Sequence, residues 1–146
     1  MISMRRAAVA TAMVLGTTLT GVGAVASASP ASVLNYDCSS GWFCTWDSTD
    51  GAVSSSQRHY NFQLGARDLT QIRYDGTTYN DKISSVYNLT NHIMCLYEHA
   101  NGQGRILPIG PNFRGAVGPR YNFENITSSV GSANSRGVCD RTVPGS

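Results

Sequence analysis

Asp81-Lys82-Ile83-Ser84-Ser85-Val86 and Asn125-Ile126-Thr127-Ser128-Ser129-Val130 share one pattern at a distance of 44 residues. Each has an acid or its amide, two spacers, a serine pair and a valine. A second echo accompanies them. Phe43-Cys44-Thr45-Trp46-Asp47-Ser48-Thr49-Asp50-Gly51 aligns with Met94-Cys95-Leu96-Tyr97-Glu98-His99-Ala100-Asn101-Gly102 at an offset of 51. Two elements repeated in the same order indicate an internal duplication, with units of roughly 40–50 residues. The offsets differ by a seven-residue loop.

The segments within each unit read as strands. Trp42-Phe43-Cys44-Thr45-Trp46, Ser84-Ser85-Val86-Tyr87-Asn88, Ile93-Met94-Cys95-Leu96-Tyr97 and Arg105-Ile106-Leu107 are short and rich in β-branched or aromatic residues. Turn formers bound them, as in Asp75-Gly76, Asn101-Gly102-Gln103-Gly104, Gly110-Pro111-Asn112 and Gly118-Pro119. No segment after residue 28 sustains an apolar stripe of helical period. A four-stranded unit cannot bury its own apolar face, so two such units packed face to face predict an all-β sandwich of about eight strands.

The chain opens with Arg5 and Arg6, continues through an apolar, Ala/Gly/Val-rich stretch over residues 7–26, and offers Ala26-Ser27-Ala28 as an exit. That arrangement reads as a secretory signal peptide over residues 1–28. A flexible segment over 29–37 and a domain over 38–146 follow, with units at roughly 38–90 and 91–140. Of 11 basic residues Arg5 and Arg6 leave with the signal, so nine face nine acidic ones. A near-neutral, scattered charge gives no footprint for nucleic acid. About 118 residues make one domain with a modest core, which secreted chains commonly reinforce with disulfides. Cys38, Cys44, Cys95 and Cys139 allow three pairings, of which Cys38 with Cys44 and Cys95 with Cys139 is the favoured one. A zinc site is the rival reading, but there is no CxxC, and His59, His92 and His99 lack ligand spacing.

Tyr97-Glu98-His99-Ala100-Asn101-Gly102-Gln103-Gly104 resembles the Greek-key signature of βγ-crystallins, and Asn80-Asp81-Lys82-Ile83-Ser84-Ser85 resembles their calcium motif. With the opening Cys38-Ser39-Ser40-Gly41-Trp42-Phe43-Cys44-Thr45-Trp46, the chain is similar to secreted bacterial βγ-crystallin-like proteins. Many of these are classed as peptidase inhibitors, typified by a metalloprotease inhibitor. The resemblance covers residues 38–139 and implies a sandwich of two Greek keys. Three departures stand out. Gly102 replaces the signature's second aromatic, Val53 replaces the closing glycine in the first unit, and Glu124 opens the second serine motif.

The resemblance also implies two calcium sites, each completed by the other unit. One would use the Asp47 and Lys82 carbonyls, the Ser84 hydroxyl and the Asn125 side chain. The other would use the Glu98 and Ile126 carbonyls, the Ser128 hydroxyl and the Asp81 carboxylate. About four protein oxygens and at most one carboxylate per site imply weak binding, on the order of 10⁻⁵ to 10⁻³ M. The Asp81 site should be the tighter. The serines also have a metal-free role, closing the loop through hydrogen bonds to backbone groups.

No GxSxG elbow, HExxH or Cys–His pairing suggests catalysis, so the chain reads as a non-enzyme. The resemblance favours a secreted, metalloprotease-type peptidase inhibitor, monomeric, with a secreted protease as partner and no membrane insertion. Residues 54–79 and 108–120 are the candidate inhibitory loops. The alternative is an extracellular calcium-binding structural or killer-toxin-like module.

Overall fold

The computed structural model describes residues 36–53, 58–141 and 143. The signal segment, residues 29–35 and residues 54–57 of the first candidate loop lie outside them. Nine strands are present among the described residues: β1 (Phe43–Trp46), β2 (His59–Phe62), β3 (Arg73–Tyr74), β4 (Thr77–Thr78), β5 (Ser85–Asn88), β6 (Met94–His99), β7 (Gln103–Ile109), β8 (Arg114–Ala116) and β9 (Ser129–Ser132). Seven of them form the two sheets of the sandwich, against the expected eight or so, and the hairpin of β3 and β4 supplies the other two.

One sheet runs β2-β1-β5-β8 and the other β7-β6-β9, with every pairing antiparallel. The units therefore exchange a strand. β8 of the second unit pairs with β5 of the first, Val86 opposite Gly115. The reciprocal crossing is a single bridge, Ala66 opposite Val130. It does not lengthen, because a short 3-10 turn (Leu69–Gln71) begins three residues later.

Duplicated residues occupy duplicated places. Phe43, Met94 and Leu96 point between the sheets into a core that also holds Val86, Ile109, Val117 and Val130. Thr45 is the polar exception. Its hydroxyl donates to the Tyr60 carbonyl (2.8 Å) and meets the buried Tyr79 hydroxyl (3.0 Å), so no core polar group is stranded there. Alternation turns Cys44 and Cys95 to the outer faces, where disulfides tie them to Cys38 and Cys139. The chain flanking each disulfide covers the outer aromatic beside it. Tyr36 meets Trp46 edge-on at 5.2 Å, and Val143 packs with Tyr97. Both central strands are thus buried on two sides over their first four residues.

The 108–120 segment is not a free loop. Pro108 and Ile109 end β7, residues 114–116 form β8, and Val117 is fully buried. Only the turn from Gly110 to Phe113 is left between strands, closed by the Phe113 N–H to the Gly110 carbonyl (3.2 Å).

Candidate functional site

Both serine motifs turn the chain into the last strand of their unit, and they face each other. Ser84 N–H donates to the Trp46 carbonyl (2.8 Å), and Ser128 N–H donates to the aligned Tyr97 carbonyl (2.9 Å). Asn125 N–H reaches the Ile83 carbonyl (3.0 Å), and Asp81 N–H reaches the Thr127 carbonyl (2.9 Å). The two elbows are therefore stitched to one another by equivalent bonds. Asp81 and Asn125 share a left-handed φ of 54°. Acids and amides tolerate that conformation better than other non-glycine residues, which is a backbone reason for the motif's opening letter.

The serines of each pair divide their work. The second one is structural. Ser85 Oγ donates to the Ser48 carbonyl (2.6 Å), and Ser129 Oγ donates to the His99 carbonyl (2.7 Å) while accepting the Gly102 N–H (3.1 Å). Ser85 and Ser129 are fully buried. The first serine instead crosses to the other unit. Ser84 Oγ donates to Asn125 Oδ1 at 2.9 Å, and Ser128 Oγ donates to Asp81 Oδ1 at 3.2 Å. Adjacent residues entering a strand point to opposite sides, so a serine pair serves both purposes at once.

The remaining predicted ligands fall around these pairs. Asp81, Glu98, Ile126 and Ser128 line one shallow depression of about 240 Å³ together with His99 and Asn125. His99 and the position of Asn125 on this rim were not anticipated from the motifs. On the other elbow, Asp47 follows the Trp46 carbonyl that holds Ser84, and Lys82 is exposed beside Asp81. The Asp47 carboxylate is occupied by the Arg58 N–H (2.7 Å). The Glu98 carboxylate receives Arg105 Nε and backbone N–H (both 3.1 Å), and these bonds hold its pKa below the ordinary carboxylate value. Both carboxylates are engaged with backbone or guanidinium N–H groups, in keeping with a reading that assigns only their carbonyls to a cation.

These oxygens suit calcium. It accepts hydroxyl, amide, carboxylate and carbonyl donors at about 2.3–2.6 Å. Oxygens 2.9 and 3.2 Å apart are spaced as neighbours in such a shell. Two buried polar atoms of the motifs also lack a partner, Asn80 Oδ1 beside the first and Thr127 Oγ1 in the second. Among the described residues no group of three His, Cys, Asp or Glu side chains is placed to hold a metal ion by itself, so backbone, hydroxyl and amide oxygens would have to share the task.

The Greek-key signature has a steric cause. Gly104 sits at φ 78°, and a Cβ there would lie 2.9 Å from both Glu98 Cβ and His99 Cδ2. Only glycine lets the chain fold back onto the start of that turn.

Comparison with known proteins agrees with this architecture. A βγ-crystallin domain structure from work on the evolution of the eye-lens fold matches with a TM-score of 0.55 and 15% identity, covering 67% of this chain and 90% of that one. A βγ-crystallin from an archaeon matches with a TM-score of 0.50 and 18% identity, covering 64% and 99%. A clostrillin double mutant in complex with nickel matches with a TM-score of 0.50 and 17% identity, covering 64% and 98%. These likenesses establish the βγ-crystallin fold. No curated protein matches the chain. The model of peptidase inhibitor family I36 matches residues 31–107, more than half of the sequence. The chain belongs to peptidase inhibitor family I36, built on a βγ-crystallin fold.

Proposed function

We propose that this chain is a secreted inhibitor of a metallopeptidase, its two units clamped by weakly bound calcium at the serine elbows. The family match over residues 31–107 carries the inhibitor reading, and it argues for a binding protein rather than an enzyme with a peptidase as partner. Two disulfides suit an oxidising compartment. A strand-exchanged, disulfide-held scaffold holds its exposed turns in fixed geometry, which reduces the entropy lost on docking. The test is a panel of thermolysin, subtilisin and trypsin assayed with the mature protein. Near-stoichiometric inhibition of thermolysin is the expected result. Ordinary digestion of the protein by all three would overturn the reading.

Calcium binding is a second function, favoured by the two cross-unit oxygen pairs at 2.9 and 3.2 Å. Melting in millimolar Ca²⁺ should exceed melting in EDTA. At 100 times the dissociation constant the gain is about 2.7 kcal/mol. Asp81→Ala should abolish the larger part of it. An identical midpoint in calcium and EDTA would leave the first serines as simple inter-unit hydrogen bonds.

A further inference from the structure

The two units are not equal, and the inequality marks an added element. Ala66 opposite Val130 and Gly115 opposite Val86 are equivalent positions. From Ala66 to Asp81 is 15 residues, whereas from Gly115 to Asn125 is 10. The longer path accommodates the hairpin of β3 and β4, which belongs to neither sheet of the sandwich. The second unit closes the same scaffold without it, so the fold does not require it.

The hairpin is nevertheless held stiffly. Asp75 (φ 49°) and Gly76 (φ 76°) form a tight two-residue tip of the kind that matches strand twist. Thr77 Oγ1 donates to the Tyr74 carbonyl (3.0 Å), and Tyr79 N–H closes the base on the Ile72 carbonyl (2.8 Å). Tyr79 itself is fully buried. Ahead of the base, Asp68 caps the 3-10 turn by accepting the Thr70 N–H (2.9 Å) and hydroxyl (2.6 Å). Residues 73–77 are exposed all the same, Tyr74 by 37%. At the foot of the hairpin, Ile72 walls a cleft of about 410 Å³ with Tyr60, Leu64 and Gln71. Leu64 is 61% exposed there.

An element dispensable to the fold, hydrogen-bonded at its base and exposing a tyrosine and an arginine, has the makings of a binding hot spot. We propose that residues 73–78 are the part of this inhibitor that enters a peptidase substrate cleft. Tyr74 fills an apolar subsite and Arg73, facing the opposite side, meets a carboxylate on the other wall. The cleft at Ile72 and Leu64 receives the peptidase surface beside its active site. The assignment rests on the inhibitor reading above.

The test compares inhibition constants of the mature protein and of Tyr74→Ala, Arg73→Ala and Arg136→Ala, against whichever of thermolysin, subtilisin and trypsin the parent inhibits. Arg136 is exposed on a turn of the other unit and serves as the control. Tyr74→Ala should weaken inhibition by about 10- to 100-fold, the range of a hot-spot truncation. Arg73→Ala should weaken it several-fold and reduce its salt dependence, and Arg136→Ala should leave it unchanged. Melting temperatures should agree among all four proteins, so lost inhibition is not lost folding. Undiminished inhibition by both hairpin variants refutes the hairpin and spares the inhibitor reading. A parent protein that inhibits none of the three peptidases removes that reading and this inference together.

Discussion

Ser129→Ala and Ser128→Ala change neighbouring residues of one serine pair, yet the structure assigns them opposite consequences. Ser129 is fully buried, and its hydroxyl both accepts the buried Gly102 N–H and donates to the His99 carbonyl. Alanine leaves that N–H without an acceptor and without access to water. A stranded buried donor costs about 1–3 kcal/mol, and the lost bond to His99 adds about 0.5–1.5 kcal/mol. The expected loss is about 2–3 kcal/mol. In a domain of about 100 residues, where 1 kcal/mol moves the midpoint by some 4–8 °C, this lowers Tm by about 10–20 °C. Ser128 gives up only one exposed bond of 3.2 Å, and should lose no more than about 0.5 kcal/mol in EDTA. Calcium separates the two again. Ser129→Ala should keep its calcium-dependent gain on the proposed metal site, and Ser128→Ala should lose it. The assay is calorimetric melting of both variants with EDTA and with excess Ca²⁺. Equal destabilisation of the two in EDTA would refute the division of labour, whatever the metal does.

Three further outcomes follow from the same geometry. Replacing Cys95 and Cys139 together by alanine opens a 44-residue loop and should cost about 4 kcal/mol, against about 2 kcal/mol for the six-residue loop of Cys38 and Cys44. Urea titration of the two double variants would contradict this if the order were reversed. Gly104→Ala forces a side chain into the left-handed region against Glu98 and His99, and should destabilise by at least about 1–2 kcal/mol in the same titration. The Glu98 pKa is depressed by the Arg105 hydrogen bonds and charge, so its stabilisation is complete above the ordinary value of 4.5 and is lost as pH falls through the lower folded value. Melting should therefore fall in acid below about pH 4.5, less steeply for Glu98→Gln; an unchanged slope in that variant would show that the ion pair is inert.

The duplication was readable because it preserves chemistry at fixed offsets. Phe43 with Met94, Cys44 with Cys95 and Trp46 with Tyr97 alternate inward and outward in both units, since the side-chain period of a strand leaves no other arrangement. The favoured disulfide pairing is the one present, each outward cysteine meeting the flanking segment that lies over its sheet. The proposed inhibitory surface was less legible. Residues 108–120 look like a proline-stiffened loop in one dimension, but hydrogen bonds to β5 and burial of Val117 make most of them sheet and core. The hairpin lies inside the long candidate loop 54–79, but its place was not legible there: its base is anchored by Tyr79, which reaches Thr45 across 34 residues.

Local pattern alone thus determined an all-β, duplicated chain, since repeat spacing and alternation depend only on neighbours along the backbone. Tertiary structure decided which strand of each unit crosses to the other sheet, which serine turns inward, and which oxygens meet across the two elbows. Those outcomes are set by contacts between residues some 40 positions apart, such as Ser84 with Asn125 and Ser128 with Asp81. A linear motif can name such groups, but only the packing of two complete units fixes the distance and direction at which they meet.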